Sequence, residues 1–183
     1  EIYTLSLHDA LPISSWRARR ELHLYERAFA MGEDDAEEHL RAALPHLAPG
    51  ARLLPPVRVD YGENIAVGKG TFANYGLVAL DVAPITIGAH CQIGPGVQLL
   101  TPVHPLEPTP RRVGLESADP IVIEDNVWLG GGVIVCPGVR IGESCVIGAG
   151  SVVTRDIPAR SLAVGSPARV VRTLDDSTFG PRH

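Results

Sequence analysis

The stretch from Ile121 to Ile157 reads IVIEDNVWLGGGVIVCPGVRIGESCVIGAGSVVTRDI, and its spacing decides the fold. An aliphatic residue returns at every sixth position, at Ile123, Leu129, Val135, Ile141, Ile147 and Val153. A glycine often follows it, as at Gly130 and Gly148, and a small or β-branched residue usually stands four positions after it. Repeats this short predict a parallel β-helix, in which each coil stacks on the next and the backbone pairs between coils.

The six-residue period continues toward the N-terminus beyond one interruption. With a slip of two residues after Ala79, it runs through Val67, Ala73, Ala79, Ile87, Ile93 and Leu99. Small inward residues suit a narrow prism, and glycine permits positive φ at the corners. The low aromatic content of 5% agrees with such an interior. We therefore predict a mainly β chain whose β-helix occupies residues 51–172.

Residues 15–50 carry a different pattern, which predicts a short N-terminal helical segment. Leu22, Tyr25 and Phe29 recur at three- and four-residue spacing with charged residues between them. Met31 and Gly32 end that helix, and a second one should follow before Pro45, since proline cannot continue a helix.

The two ends of the chain are treated separately from the fold. Tyr3 to Ile13 reads YTLSLHDALPI, which resembles one reading frame of a sequencing adapter, so we expect residues 1–14 to be a sequence artefact. A secretion signal is the alternative, but the segment lacks a basic start and Asp9 interrupts its apolar run. Residues 173–183 are expected to form a C-terminal tail.

Composition excludes several functional classes. A length of 183 residues allows one domain with a small appendage. The net charge of −5 argues against nucleic-acid binding by bulk electrostatics. The chain also lacks an apolar run of the roughly 18 residues needed to span a membrane. Cys91, Cys136 and Cys145 form no CxxC pair, which argues against a zinc ribbon or a disulfide scaffold and favours a cytoplasmic location.

Three stretches carry a resemblance to a known family: DYGENIAVGKGTFANYG (residues 60–76), TPVHPLEPTPRRVGLES (residues 101–117) and the segment from DNVWLGGG to SPARVVR (residues 125–172). Together they resemble the maltose and galactoside (sugar) O-acetyltransferases, a branch of the hexapeptide-repeat acyltransferases with a left-handed parallel β-helix. The left hand is implied by the resemblance alone, because the general crossover rule favours the right hand. The resemblance also implies acetyl-CoA as donor, a sugar hydroxyl as acceptor, no metal, and a homotrimer with sites between subunits.

The interruption of the repeat, residues 101–119, is the predicted catalytic loop. Its four prolines block a regular ladder, and it carries His104. Functional groups are often placed on loops of a rigid scaffold, and histidine is suited to proton transfer near neutral pH. The resemblance implies that His104 removes the proton of the acceptor hydroxyl, which then attacks the thioester directly. It also implies that the backbone N–H of Gly131 stabilises the resulting oxyanion.

The resemblance assigns further residues to each substrate. The predicted acceptor-binding residues are Asn74, Asp81 and Glu116. The predicted coenzyme A-binding residues are Trp128, Ala149, Thr154, Arg155, Arg169 and Arg172. Structural alternatives remain open: asparagine commonly fills β-helix corners, Asp81 could cap the slip before Ile87, and Glu116 could orient the His104 imidazole instead of binding the acceptor.

Other functions remain possible from the sequence. A γ-type carbonic anhydrase shares the β-helix but needs three zinc-binding histidines, whereas only His90 and His104 lie within the predicted coils. A noncatalytic assembly module would bind no coenzyme A. Within acyl transfer, the alternative is a xenobiotic or sugar-nucleotide acetyltransferase with a different acceptor.

Overall fold

The computed structural model of the chain describes residues 13–175. Its helices are α1 (Ile13–Met31), α2 (Ala36–Ala43) and the short α3 (Pro108–Arg112). The predicted artefact therefore lies almost wholly outside the described residues, as does the tail beyond residue 175. Helix α1 begins at Ile13, slightly before the predicted start at residue 15.

The strands are short and follow one another along the chain. In chain order they are β1 (His46–Leu47), β2 (Arg52–Leu53), β3 (Val57–Val59), β4 (Ile65–Val67), β5 (Phe72–Ala73), β6 (Leu77–Leu80), β7 (Ile85–Ile87), β8 (Gln92–Ile93), β9 (Gln98–Leu100), β10 (Pro102–Val103), β11 (Ser117–Ala118), β12 (Ile121–Ile123), β13 (Trp128–Leu129), β14 (Ile134–Val135), β15 (Arg140–Ile141), β16 (Val146–Ile147), β17 (Val152–Val153), β18 (Ser161–Gly165) and β19 (Ala168–Thr173).

Three sheets form the faces of a prism. Face A contains β1, β4, β7, β12 and β15; face B contains β2, β5, β8, β13, β16, β18 and β19; face C contains β3, β6, β9, β14 and β17. Successive strands visit faces A, B and C in turn, and within each face they pair in parallel, apart from the antiparallel β18–β19 pair. We call the edges of the prism the AB, BC and CA corners. The predicted parallel β-helix of hexapeptide repeats is confirmed.

The periodic aliphatic residues form the core. Ile123, Leu129 and Ile141 are fully buried, and each aligns with its counterpart in the neighbouring coil. Burying a side chain of this size contributes about 1.5–3 kcal/mol relative to leaving it exposed. The glycine after the aliphatic residue is explained by close stacking, since a Cβ on Gly130 would lie 2.5 Å from the backbone nitrogen of Ala149.

The β-helix begins earlier than the sequence predicts. Strand β1 pairs with β4, so the first coil includes His46 rather than starting at residue 51. Helices α1 and α2 pack together over this end of the prism, and the Tyr25 hydroxyl donates a 2.5 Å hydrogen bond to the Leu53 carbonyl. Among residues 13–175, no helix has the length and apolar character needed to cross a bilayer.

Candidate active site

Several predicted residues converge on a groove of about 440 Å³ on face B and the BC corner. We call it the BC groove. Asn74, Trp128, Gly131 and Ala149 all line it, so the structure brings together four of the residues predicted from the sequence. They meet because the coils that contain β5, β13 and β16 each contribute the same turn of the repeat to this corner.

Trp128 supplies the largest side chain of the BC groove. It lies on β13 between Gln92 of β8 and Val146 of β16, and 55% of its surface is exposed although the ring is large and apolar. An exposed aromatic side chain in a groove provides a flat surface for an extended apolar ligand segment. The ring therefore fits the predicted contact with the pantetheine arm of coenzyme A.

Gly131 differs from its two glycine neighbours in hydrogen bonding. The Gly130 N–H donates to the Ile147 carbonyl, and the Gly132 N–H donates to the Pro95 carbonyl, both at 2.8 Å. Within the described part of the chain, the Gly131 N–H has no backbone acceptor. A free N–H at the wall of a groove can donate to an oxygen that develops negative charge.

His104 lies at a different corner from the BC groove. It follows β10, after the chain has left face C at the CA corner, and it is exposed. Strands β10 and β11 pair antiparallel as the stem of the loop, and the Asp119 N–H donates to the Thr101 carbonyl at 3.0 Å. The loop is thus an ordered excursion, but one chain alone does not place the imidazole in the groove.

The CA corner carries an acidic cluster in which Asp60 and Tyr61, not singled out from the sequence, join the predicted residues Asp81 and Glu116. Burial raises the pKa of the half-buried Asp60 carboxyl, and the negative charges of Asp81 and Glu116 raise it further, although Arg19 opposes them. Burial also raises the pKa of Tyr61, with Asp60 and Glu116 adding to the effect. Both residues stand in the quoted segment that begins with DYGEN (residues 60–64). The aliphatic positions on either side of it, Val59 and Val67, are eight residues apart instead of six, and this slip in the period was the available signal.

Asp81 has a role different from the one predicted. It is completely buried, and its carboxylate accepts hydrogen bonds from the N–H groups of Asp60, Tyr61, Gly62 and Asn64. A carboxylate enclosed and occupied in this way is not available to an acceptor hydroxyl. The geometry does not support direct acceptor binding by Asp81. The carboxylate caps the turn at residues 60–64 of the preceding coil rather than the slip before Ile87.

The remaining predicted residues are distributed over two regions. Arg169 and Arg172 are exposed on β19, at the edge of face B beyond the groove strands. Thr154 and Arg155 are exposed at the CA corner after β17, the corner that also carries the His104 loop. Asn74 lies in the groove with its side-chain oxygen accepting from the Tyr75 N–H at 2.8 Å.

The cysteines have the environment of packed thiols. Cys91 and Cys145 are completely buried, and Cys136 is half-buried against the core. Burial raises the pKa of all three thiols, which lowers the thiolate fraction at neutral pH. Among residues 13–175, no group of three or more His, Cys, Asp or Glu side chains could hold a metal ion.

Comparisons with known proteins agree with the β-helix fold. The matching family model is the bacterial transferase hexapeptide (six repeats), over residues 120–155. A Schizosaccharomyces pombe relative is 57% identical over 122 residues, which span 67% of this chain and 59% of the relative. The galactoside O-acetyltransferase of Lactococcus lactis is 37% identical over 97% of this chain and 88% of its own length.

Solved structures show the same fold. A maltose O-acetyltransferase from Clostridium difficile superposes with a TM-score of 0.91 at 38% identity, covering 96% of this chain and 94% of that one. A galactoside acetyltransferase in complex with coenzyme A superposes with a TM-score of 0.89 at 34% identity, covering 94% of this chain and 86% of that one.

Proposed function

The chain belongs to the hexapeptide-repeat acetyltransferase family that includes the galactoside and maltose O-acetyltransferases, and from this membership we propose that it transfers the acetyl group of acetyl-CoA to a sugar hydroxyl. The observation that carries the proposal is the BC groove, with Trp128 exposed along it and a Gly131 N–H that has no backbone acceptor among residues 13–175. The coenzyme A complex of a family member supports the same donor.

The site is completed between copies of the chain. His104 and the BC groove lie at different corners, so a second copy must bring its CA corner against the groove for them to act together. The loop exposes Leu106, Val113 and Leu115, with 88%, 62% and 37% of their surfaces accessible in the single chain. Exposed apolar side chains of this kind mark contact surfaces. A closed ring of copies places one such contact on each copy. We propose that the ring is a homotrimer, as the family resemblance implies.

The reaction requires no covalent enzyme intermediate. His104 accepts the proton of the acceptor hydroxyl while the oxygen attacks the thioester carbonyl. The Gly131 N–H stabilises the oxyanion of the tetrahedral intermediate. Collapse of the intermediate breaks the carbon–sulfur bond, and the proton returns from the imidazole to the departing coenzyme A thiolate. The O-acetyl ester and free coenzyme A are the products.

Coenzyme A would lie along the groove and across the interface. Its pantetheine arm would contact Trp128 and the Ala149 backbone, and its phosphates would meet Arg169 and Arg172 on β19. Guanidinium groups bind phosphates well because their donors match the phosphate geometry. Thr154 and Arg155 would contribute from the same CA corner as His104.

The acceptor would be bound by polar side chains on both sides of the interface. Asn74 would contribute from the groove, and Glu116 from the CA corner, where we add Asp60 and Tyr61 as neighbours. Hydroxyl recognition depends on such donor and acceptor groups. The three free cysteines agree with a cytoplasmic location, which we propose for the enzyme.

The test is release of free coenzyme A from acetyl-CoA in the presence of glucosides, galactosides and maltose. We expect sugar-dependent release by the native chain and a loss of about 10²–10⁴-fold in the His104→Ala variant, the contribution of a general base. His90→Ala is the matched control, because His90 is an exposed histidine at the AB corner. Equal activity in both variants would exclude His104 as the general base. Failure of the native chain to bind coenzyme A would favour a noncatalytic module.

A further inference from the structure

Two buried polar side chains lie one above the other where the chain leaves the prism for the His104 loop. Strands β6 and β9 pair with Leu80 opposite Leu100, so the next residues, Asp81 and Thr101, occupy equivalent positions in successive coils. Both residues are completely buried. Buried polar groups are retained in a protein interior when their hydrogen bonds are satisfied.

Thr101 joins the loop stem to the turn that carries Asp81. Its hydroxyl donates to the Leu80 carbonyl at 2.6 Å and accepts from the Ala83 N–H at 3.0 Å, so it spans the turn from both sides. Its backbone carbonyl accepts from the Asp119 N–H at 3.0 Å, which closes the other end of the loop. Thr101 therefore connects both ends of the loop to the turn that carries Asp81.

Asp81 extends this connection to the preceding coil. Its Oδ1 accepts from the N–H groups of Asp60 and Tyr61 at 3.0 and 2.8 Å, and its Oδ2 accepts from Gly62 and Asn64 at 2.8 and 3.2 Å. Gly62, with φ of +77°, lies against the end of α2, where a Cβ would overlap the Ala43 carbonyl oxygen. The 60–64 turn is thus held between Asp81 and helix α2.

We propose that Thr101 and Asp81 are positioning residues for the transfer reaction, because together they fix the His104 loop relative to the turn at residues 60–64. This inference rests on the proposed function, in which His104 and the CA corner act on the acceptor. A displacement of about 1 Å in a reacting group can cost about a hundredfold in rate. Neither Thr101 nor Asp81 is among the residues proposed to bind coenzyme A, so their loss should affect donor binding less than the transfer step.

The chain offers a matched control for Thr101. Thr71 is also buried, and its hydroxyl donates to the Gly88 carbonyl at 2.7 Å and accepts from the Cys91 N–H at 3.0 Å. It makes the same two kinds of hydrogen bond, but at the AB corner, away from the His104 loop. Replacing either threonine by valine removes the hydroxyl at nearly constant shape.

The experiment compares Thr101→Val, Thr101→Ser and Thr71→Val by coenzyme A release and by hydrogen–deuterium exchange. We expect Thr101→Val to lower kcat at least about tenfold, with the KM for acetyl-CoA nearly unchanged, because positioning rather than donor binding is lost. Thr101→Ser restores kcat, and Thr71→Val retains it. Exchange increases at residues 102–119 in Thr101→Val and at residues 60–64 in Asp81→Asn.

Two results would overturn the inference. The first is an equal change of kcat in Thr101→Val and Thr71→Val. An equal loss would show a general effect on stability, and an unchanged kcat in both would show that neither hydroxyl affects the reaction. The second is unchanged exchange protection of residues 102–119 in Thr101→Val. If the native chain transfers acetyl to no sugar, the proposed function fails separately, and the exchange measurement still decides whether Thr101 holds the loop.

Discussion

His104 and Gly131 lie at different corners of the same prism, His104 in the loop that leaves face C after β9 and Gly131 directly beyond β13 of face B. A base and an oxyanion donor act on one carbonyl only if both come within hydrogen-bond reach of the reacting atoms. The separation therefore makes assembly of copies a requirement for chemistry in this account. It also makes the contributions of the two corners separable by mutation.

Removal of the Trp128 ring should weaken donor binding with little effect on folding. The side chain is 55% exposed, so we expect the thermal stability of Trp128→Ala to stay close to that of the native chain. Loss of an aromatic contact in a groove costs about 2 kcal/mol, or roughly thirtyfold in the Kd of acetyl-CoA. Isothermal titration measures this Kd. Trp16→Ala, at the 62% exposed tryptophan of α1, is the control, and an equal loss in both variants would refute the assignment.

The Tyr25 hydroxyl should contribute to the docking of α1 on the first coil. Tyr25→Phe removes its 2.5 Å hydrogen bond and leaves the Leu53 carbonyl without this donor. We expect a loss of about 1–2 kcal/mol in the free energy of unfolding, as measured by urea denaturation. Burial raises the pKa of Tyr25 to about 12, so its ultraviolet tyrosinate signal should emerge only near that pH. An unchanged unfolding free energy would show that the bond makes no net contribution.

Glu21 should make stability depend on pH in the acid range. Hydrogen bonds from Arg20 and His39 lower the pKa of this carboxyl, although burial opposes them. Because the folded-state pKa lies below the unfolded one, Glu21 stabilises the fold above its ordinary pKa, and this contribution is lost as pH falls through the folded pKa. Urea unfolding across this window should show a shallower decline in Glu21→Gln. The same slope in both proteins would exclude the effect.

The three thiols should react slowly in the native chain. Burial raises the pKa of Cys91, Cys136 and Cys145, so little thiolate is present at neutral pH. We expect an aromatic disulfide reagent to titrate the released coenzyme A rapidly and the protein thiols fully only after unfolding. Cys136→Ser should retain activity. Rapid loss of activity on thiol modification would instead indicate a functional cysteine.

The repeat allowed much of the fold to be predicted, because a single period determines which residues point into a narrow prism. The aliphatic positions from Val67 to Val153 are buried as expected. Only β1 of the first coil lies before the predicted start at residue 51, although Leu47, Leu53 and Val59 continue the six-residue spacing upstream. A second slip, between Val59 and Val67, interrupts the pattern there and makes it less visible.

Less of the site than of the fold could be predicted from the sequence. Asn74, Trp128, Gly131 and Ala149 share a groove because equivalent turns stack, which the period implies. The hydrogen bonding of Asp81 and Thr101 depends on which turns of different coils meet, and the sequence does not state this. In the proposed assembly, the side chains that join His104 to the groove belong to the contact between copies, which neither composition nor spacing describes.

The most direct test of the account mixes two inactive variants. His104→Ala lacks the base, and Ala149→Trp fills the BC groove with a large side chain at an exposed position. The two variants are co-expressed with different affinity tags, and mixed trimers are purified through both tags. Only a contact between an intact His104 of one copy and an intact groove of another can be active, so about a third of the sites in the mixed trimers should regain activity. Activity no higher than that of either variant alone would show that base and groove act within one chain, and would contradict the account.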